Sequence, residues 1–214
     1  MLEKIILEGK NKEELLNSFL EQNNLSLEEI YLKEEQTEAK LFKSKKVKIE
    51  IIKKEDIKKY LKEYIKVMGS NMGLTINSEI REKEDAYEIM LISDNNNILI
   101  GKDGKTLNAI QLLLHQSINN QVGFNIHITV DVSNYKEKKI KRLEHEVRKI
   151  MQEVEKTKIE AKMDAMNSYE RRLVHTIVSE NSNLETESFG EHPNRYVVIR
   201  YKENLSQIIK LTCD

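Results

Sequence analysis

The chain has 214 residues, of which 39% are hydrophobic and 33% charged, and its formal net charge is −1 at pH 7. This near-neutral balance excludes a broadly basic protein that neutralises many phosphates at once, so any nucleic-acid site must be local. The single cysteine, Cys213, excludes an internal disulfide, residues 1–14 lack the apolar run of a signal peptide, and no stretch has the roughly 18 apolar residues of a transmembrane helix. We therefore expect a cytoplasmic protein, with no direct membrane insertion and several small cores.

The first 52 residues predict a small β-α-β-β domain. Its helix carries four apolar residues on one face, and its last strand alternates apolar and polar residues. A unit this short has little core of its own, which favours packing against a partner. The predicted elements lie at 2–8, 11–23, 30–33 and 47–52.

Residues 53–133 predict a second domain with the order α-β-β-α-α-β. A helical pattern ends at Gly69, and two strands then flank a charged turn at 82–85, which indicates a hairpin. A short helix up to Ile100 is broken by a glycine-containing loop before a longer helix begins. The three predicted strands lie at 74–80, 86–92 and 124–132. The apolar face of the longer helix consists of Leu107, Ile110, Leu114 and Ile118.

The remainder predicts a connecting helix and a third domain. Residues 134–156 are densely charged with a narrow apolar seam, which indicates an exposed linker helix of about 20 residues, hence about 30 Å long. In the domain at 157–202, Asn167 and Glu170 have the spacing of a capping box. That domain comprises a strand at 159–163, a helix to Glu180 and a hairpin of 184–189 and 196–201, followed by a tail at 203–214.

The loop Gly101-Lys102-Asp103-Gly104 has the properties of a phosphate-binding turn. Glycine lets a nucleic-acid backbone approach closely, and the helix that follows offers backbone N–H groups and a positive dipole end. Lys102 and Lys105 add positive charge, whereas Asp103 opposes it. In the plainer interpretation, the glycines form only a turn between two helices.

Two other interpretations of the motifs are weaker. Gly104-Lys105-Thr106 resembles the end of a nucleotide-hydrolysing P-loop, but Leu99 stands where that motif needs glycine. The five histidines show no metal-ligand spacing, and no nucleophile has a placed base. We therefore expect no catalytic residues, no metal and no cofactor, and a nuclease is the least favoured function.

Arg171 and His175 lie one turn apart on the border of the helix after Asn167, where both can project into solvent. An arginine pairs with phosphate or stacks on a base, and a neighbouring histidine can hydrogen-bond or stack. On spacing alone, the plainer interpretation is favoured, in which Arg171 forms a surface ion pair and His175 packs at the boundary, because such pairs are common.

Longer segments resemble two known nucleic-acid-binding domains. Residues 98–107, in their α-β-β-α-α-β setting, resemble the GXXG segment of a type II KH domain, in which the loop holds about four nucleotides and an apolar groove accepts bases. Residues 166–175 and 188–199 resemble the R-three-H domain, which is named for its Arg-x-x-x-His pair and binds single-stranded nucleic acid. The resemblance implies groove positions Ile98, Ile100 and Leu107, which are otherwise ordinary core, and further contacts at Arg172 and Arg195.

The order of the three domains resembles the Jag family, also called KhpB or EloR, the SpoIIIJ-associated proteins of bacteria. The N-terminal match is weaker, because the glycines that such domains carry near residues 40–45 are missing. The resemblance implies a single-stranded RNA-binding regulator, with single-stranded DNA as the other candidate ligand, linked to cell elongation and division. It also implies a partner, a smaller KH-domain protein of the KhpA kind or a second copy. A protein-protein scaffold with little RNA binding is the alternative.

Overall fold

The computed structural model describes residues 2–36, 47–83 and 86–202. It confirms the predicted α+β class, and the chain divides into two compact units, Met1–Ser133 and Asn134–Asp214. The segment 40–45, the predicted tail 203–214 with Cys213, and residues 84–85 of the turn predicted at 82–85 lie outside the described residues.

The N-terminal elements form the predicted β-α-β-β order. Their antiparallel sheet has the strand order β1-β3-β2 and packs on α1, which Asn11 caps by accepting a hydrogen bond from the Glu13 N–H. The buried core consists of Phe19, Ile30, Ile49 and Ile51, with partly buried neighbours around it. The elements are β1 (Ile5–Gly9), α1 (Lys12–Asn23), β2 (Ile30–Gln36) and β3 (Val47–Lys53).

This small sheet packs against the following domain of the same chain. The rings of Tyr31 and Phe124 lie 5.2 Å apart, and the Lys54 ammonium group lies 5.1 Å from the centre of the Tyr31 ring. The strand β3 is followed directly by the first helix of the second domain, so the connection between the two domains of this unit is short.

The second domain has the predicted α-β-β-α-α-β order. Its sheet, with strand order β4-β5-β6, is antiparallel between β4 and β5 and parallel between β5 and β6. The apolar faces of two long helices cover one side of this sheet and bury Leu61, Ile65, Leu114 and Ile118. The elements are α2 (Lys54–Asn71), β4 (Ile76–Lys83), β5 (Ala86–Ser93), α3 (Asn96–Ile100), α4 (Lys105–Val122) and β6 (His127–Val132).

The second unit is an antiparallel sheet of order β7-β9-β8 with two helices. The predicted hairpin forms, and the predicted capping box closes between Asn167 and Glu170. The strand predicted over 159–163 is shorter, only two residues long. The elements are α5 (Tyr135–Thr157), β7 (Ala161–Lys162), α6 (Ser168–Ser179), β8 (Leu184–Phe189) and β9 (Tyr196–Tyr201).

The long helix α5 forms where the sequence predicts it, but the prediction of an exposed linker is wrong. Val147, Met151 and Val154 are buried in one cluster with apolar residues of α6, β8 and β9. The narrow seam is therefore a core-facing stripe, and α5 is an integral part of the second unit.

Candidate nucleic-acid interface

The GXXG loop, residues 101–104, has a backbone that requires glycine at its first position. Gly101 has φ 68° and ψ −176°, a region that side-chain-bearing residues scarcely occupy. A Cβ at this position would also overlap the side chain of Thr106. Asp103 and Gly104 have positive φ as well, so the loop turns sharply between α3 and α4.

The charged side chains of this loop face solvent. Lys102, Asp103 and Lys105 are exposed, whereas Gly104 is buried. Gly104 is also the N-cap of α4 and supplies no side-chain hydrogen bond to the helix start. The first N–H groups of an 18-residue helix therefore lie beside two exposed lysines, an arrangement that favours a phosphate.

The three predicted groove residues have different surroundings. Ile98 is 46% exposed and Ile100 is partly exposed, so both can meet a ligand. The prediction for Leu107 is wrong: it is 1% exposed, because it belongs to the face of α4 that also buries Ile110 and Leu114. Leu107 lies three residues before Ile110 and seven before Leu114, so helical spacing alone places it on their buried face.

A second candidate site is an open cavity of about 450 Å³ between α6 and the hairpin of the second unit. It brings together the four residues that the sequence singled out in this domain, Arg171, Arg172, His175 and Arg195, and no carboxylate of the described residues lines it. We call it the arginine cavity. Its other lining residues are the hydroxyl-bearing Ser168, Thr176, Ser179 and Ser188.

Sequence reasoning missed those four hydroxyl residues. Ser168 lies three residues before Arg171, Thr176 four after Arg172 and Ser179 four after His175. Helical spacing could therefore have found all three. Ser188 comes from β8, and only the fold brings it to the cavity.

Hydrogen bonds hold the arginine cavity in place. One guanidinium nitrogen of Arg171 donates to the Met166 carbonyl oxygen at 3.0 Å, and another donates to Ser168 Oγ at 3.2 Å. The Met166 N–H in turn donates to the carbonyl oxygen of Arg195 at 3.0 Å. The Arg171 side chain and the Arg195 backbone are thus tied to the same residue.

His175 is held by two hydroxyl groups of β8. Its Nδ1 lies 2.6 Å from Thr186 Oγ1, and its Nε2 lies 2.9 Å from Ser188 Oγ. Partial burial, and then the positive charge of Arg171, lower the pKa of His175 below its ordinary value of 6.5. The lowered pKa favours the neutral imidazole, so the positive charge of the cavity comes mainly from its arginines.

Neither a metal site nor a membrane-spanning helix is present in the part of the chain that the structure describes. Across residues 2–36, 47–83 and 86–202, no three histidine, cysteine or carboxylate side chains are grouped so that they could hold a metal ion. No helix within those same ranges is long and apolar enough to cross a membrane.

The regions that contain the GXXG loop and the arginine cavity both match known protein families. A family model described as "KhpA/KhpB, KH domain" matches residues 58–131, and the family model of the R-three-H domain matches residues 138–201. The chain is 35% identical over 132 residues to "RNA-binding protein KhpB" of Clostridium symbiosum, covering 62% of this chain and 60% of that protein. It is 29% identical over 200 residues to the Bacillus subtilis protein of the same name, covering 91% of this chain and 96% of that one.

The two domain matches and the named relatives together support the Jag (KhpB) family for this chain. The KH match contains the whole GXXG loop, and the R-three-H match contains the four predicted residues of the arginine cavity. The R-three-H match also includes α5 from its fourth residue onward, in agreement with the buried face of that helix.

Proposed function

We propose that the chain binds single-stranded RNA, without catalysis, through the GXXG loop and the arginine cavity. The observation that carries the proposal is the cavity, because three arginines and a histidine but no carboxylate line it in the part of the chain that the structure describes, and the net charge of the chain is −1. Positive charge is concentrated where a phosphate could reach it. The names of the relatives, all RNA-binding proteins, support this proposal.

At the GXXG loop, the RNA backbone lies against Gly101 and Gly104, with phosphates near Lys102 and Lys105. The loop holds about four nucleotides, and Ile98 and Ile100 offer apolar contact to bases. At the arginine cavity, guanidinium groups pair with phosphate oxygens in a forked geometry or stack on bases, and the hydroxyl groups add neutral hydrogen bonds.

The test is filter binding of single-stranded RNA to the parent and to Lys102→Asp. The substitution keeps both glycines and places a second carboxylate beside Asp103, so affinity should fall sharply in a protein that remains folded. Lys62→Asp, a matched charge change at an exposed position of α2, should bind like the parent. Unchanged affinity of folded Lys102→Asp would refute the KH site.

Salt dependence gives a second measure of the same proposal. Each neutralised phosphate of a single strand contributes a slope of about −0.7 to log K against log salt, so we expect a total of about −2 to −4. A slope near zero would remove the electrostatic argument. Intact labelled RNA after incubation with divalent metal is expected, and metal-dependent cleavage that survives repurification would show an enzyme.

A specific surface favours an adaptor function as a second candidate. The groove between α2 and α4 is mainly apolar, and it includes Tyr60, Tyr64, Val67 and Leu113, of which Val67 is 50% and Leu113 47% exposed. Its proposed occupant is a small KH-domain protein of the KhpA kind or a second copy of the chain.

Leu113→Glu should then abolish self-association in light scattering or the capture of a stoichiometric partner, and Leu27→Glu, at a 59% exposed position, should not. A strict monomer recovered with no partner would count against this function. As the biological role, we propose post-transcriptional regulation linked to cell elongation and division. Cell length in a deletion strain complemented with the parent or with Lys102→Asp tests that role.

A further inference from the structure

Glu170 is the single buried charged residue among residues 2–36, 47–83 and 86–202, with 8% of its surface exposed. It precedes Arg171 in α6. One carboxylate oxygen accepts the Asn167 backbone N–H at 2.9 Å, and the other lies 2.7 Å from the Lys139 ammonium nitrogen. Because Lys139 belongs to α5, this ion pair joins the N-terminal ends of the two helices.

Hydrogen bonds continue from this ion pair into the arginine cavity. The Asn167 side chain accepts the Glu170 N–H at 2.9 Å, which fixes the start of α6. The preceding residue, Met166, accepts from the Arg171 guanidinium and donates to the Arg195 carbonyl, both at 3.0 Å. The segment that Glu170 fixes is therefore a common anchor of two cavity arginines.

We propose that Lys139 and Glu170 are positioning residues of the arginine cavity, which set its affinity for phosphate without contacting RNA. This inference rests on the proposed function. An arginine side chain loses rotamer freedom when it binds, and one that is already held in its binding geometry loses less. Because of the ion pair, the Arg171 side chain loses rotamer freedom when the chain folds, so less conformational entropy is lost when RNA binds.

The charge of Lys139 acts in the same direction. Glu170 is a carboxylate directly before Arg171, a residue of the proposed phosphate site, and Lys139 neutralises the charge of that carboxylate. Without that lysine, the buried carboxylate would attract nearby guanidinium groups and oppose an incoming phosphate. Both effects predict weaker RNA binding when Lys139 is replaced, whereas Glu170→Gln removes the carboxylate and therefore tests positioning alone.

A direct phosphate contact by Lys139 is the competing explanation, since its side chain is 32% exposed. Salt dependence separates the two. A lost phosphate contact reduces the magnitude of the slope of log K against log salt by about 0.7. A lost positioning residue lowers affinity and leaves the slope unchanged.

The experiment measures affinity and salt slope for the full chain with an oligouridylate of about 20 nucleotides. Lys139→Met and Glu170→Gln should each bind about 2- to 10-fold more weakly at unchanged slope, the cost of ordering an arginine upon binding. Arg171→Ala should bind RNA more weakly, and the magnitude of its slope of log K against log salt should be smaller. Lys139→Arg should bind like the parent, as should Lys149→Met, the control at an exposed position of α5.

A readout specific for positioning is the Arg171 side-chain Nε–H resonance. It should shift in Lys139→Met while the backbone resonances of β8 and β9 stay in place. Should Lys139→Met not fold, Glu170→Gln carries the test, because glutamine has nearly the same size and can still accept the Asn167 N–H.

Three results would overturn the inference. A reduced salt slope in Lys139→Met would make Lys139 a phosphate contact. Parent-like affinity of both Lys139→Met and Glu170→Gln, with Arg171→Ala weakened, would refute positioning and leave the proposed function standing. Parent-like affinity of Arg171→Ala would refute the cavity as an RNA site, and the positioning inference with it.

Discussion

His175 combines two surroundings that act differently on its protonation. Thr186 and Ser188 can each donate or accept a hydrogen bond, so they fit either form of the ring. Burial and the Arg171 charge favour the neutral form and lower its pKa. A bound phosphate would oppose these two effects, because it stabilises the imidazolium.

RNA affinity should therefore rise as the pH falls below 6.5, because a protonated His175 adds a positive charge beside Arg171. An increase of about 1.5- to 5-fold is expected, as for an exposed charge pair. Anisotropy titrations of the parent and of His175→Gln, between about pH 5.5 and 8, provide the comparison. The same increase in both proteins would assign the effect to other groups.

The stability of the folded chain should follow the opposite trend. Because the folded-state pKa of His175 lies below that of the unfolded chain, the unfolded state takes up a proton first as the pH falls. The contribution of His175 is therefore complete above pH 6.5 and is lost below it. Thermal unfolding should show a smaller loss between about pH 7.5 and 5.5 in His175→Gln than in the parent.

Single residues also show how far the sequence can be interpreted. Arg171, Arg172, His175 and Arg195 were predicted by motif, and the structure brings them to one cavity. Which side chain of Ile98-Leu99-Ile100 points inward was not predictable, because α3 has five residues and offers no periodicity. Leu99 is the buried one.

At the scale of elements, the loop between α3 and α4 depends on the backbone of Gly101. Gly73 has nearly the same φ, 69° against 68°, but nothing lies within 4 Å of its missing Cβ. A positive φ disfavours a side chain at both glycines, and steric overlap is added at Gly101.

Gly101→Ala should lower the free energy of unfolding by about 1–3 kcal/mol more than Gly73→Ala, because its Cβ must displace Thr106. It should also weaken RNA binding, whereas Gly73→Ala should not. Chemical denaturation and filter binding measure the two effects. Equal destabilisation by both substitutions would contradict the described loop geometry.

The helix α5 shows why an element can be predicted correctly and its role wrongly. Its dense charge and narrow apolar stripe fit both a linker and a core helix of a small domain. Only the tertiary fold, which supplies the apolar residues of α6, β8 and β9, decides between them.

Val147→Ala tests the core position of α5. Val147 is fully buried, so its truncation should cost about 1–3 kcal/mol of unfolding free energy. Ile159→Ala, which truncates a side chain that is 69% exposed, should change stability by less than about 0.5 kcal/mol. Equal losses of unfolding free energy in the two variants, measured by denaturant unfolding, would instead indicate that α5 is an exposed linker.

At the scale of the whole molecule, the two proposed RNA sites belong to different units of the chain. The GXXG loop lies in the first unit and the arginine cavity in the second, and only Ser133 and Asn134 separate β6 from α5. Once one site holds a strand, binding at the other site becomes intramolecular. Affinity should therefore increase with RNA length and then level off.

The most direct test of this account measures affinity against RNA length for the parent and for Arg171→Ala with His175→Ala. Both proteins should bind a four-nucleotide RNA equally at the GXXG loop. On an RNA long enough to reach both sites, the double variant should bind about 5- to 150-fold more weakly, because it loses stacking and phosphate contacts of about 1 to 3 kcal/mol. Parent-like binding of long RNA by the double variant would contradict the account.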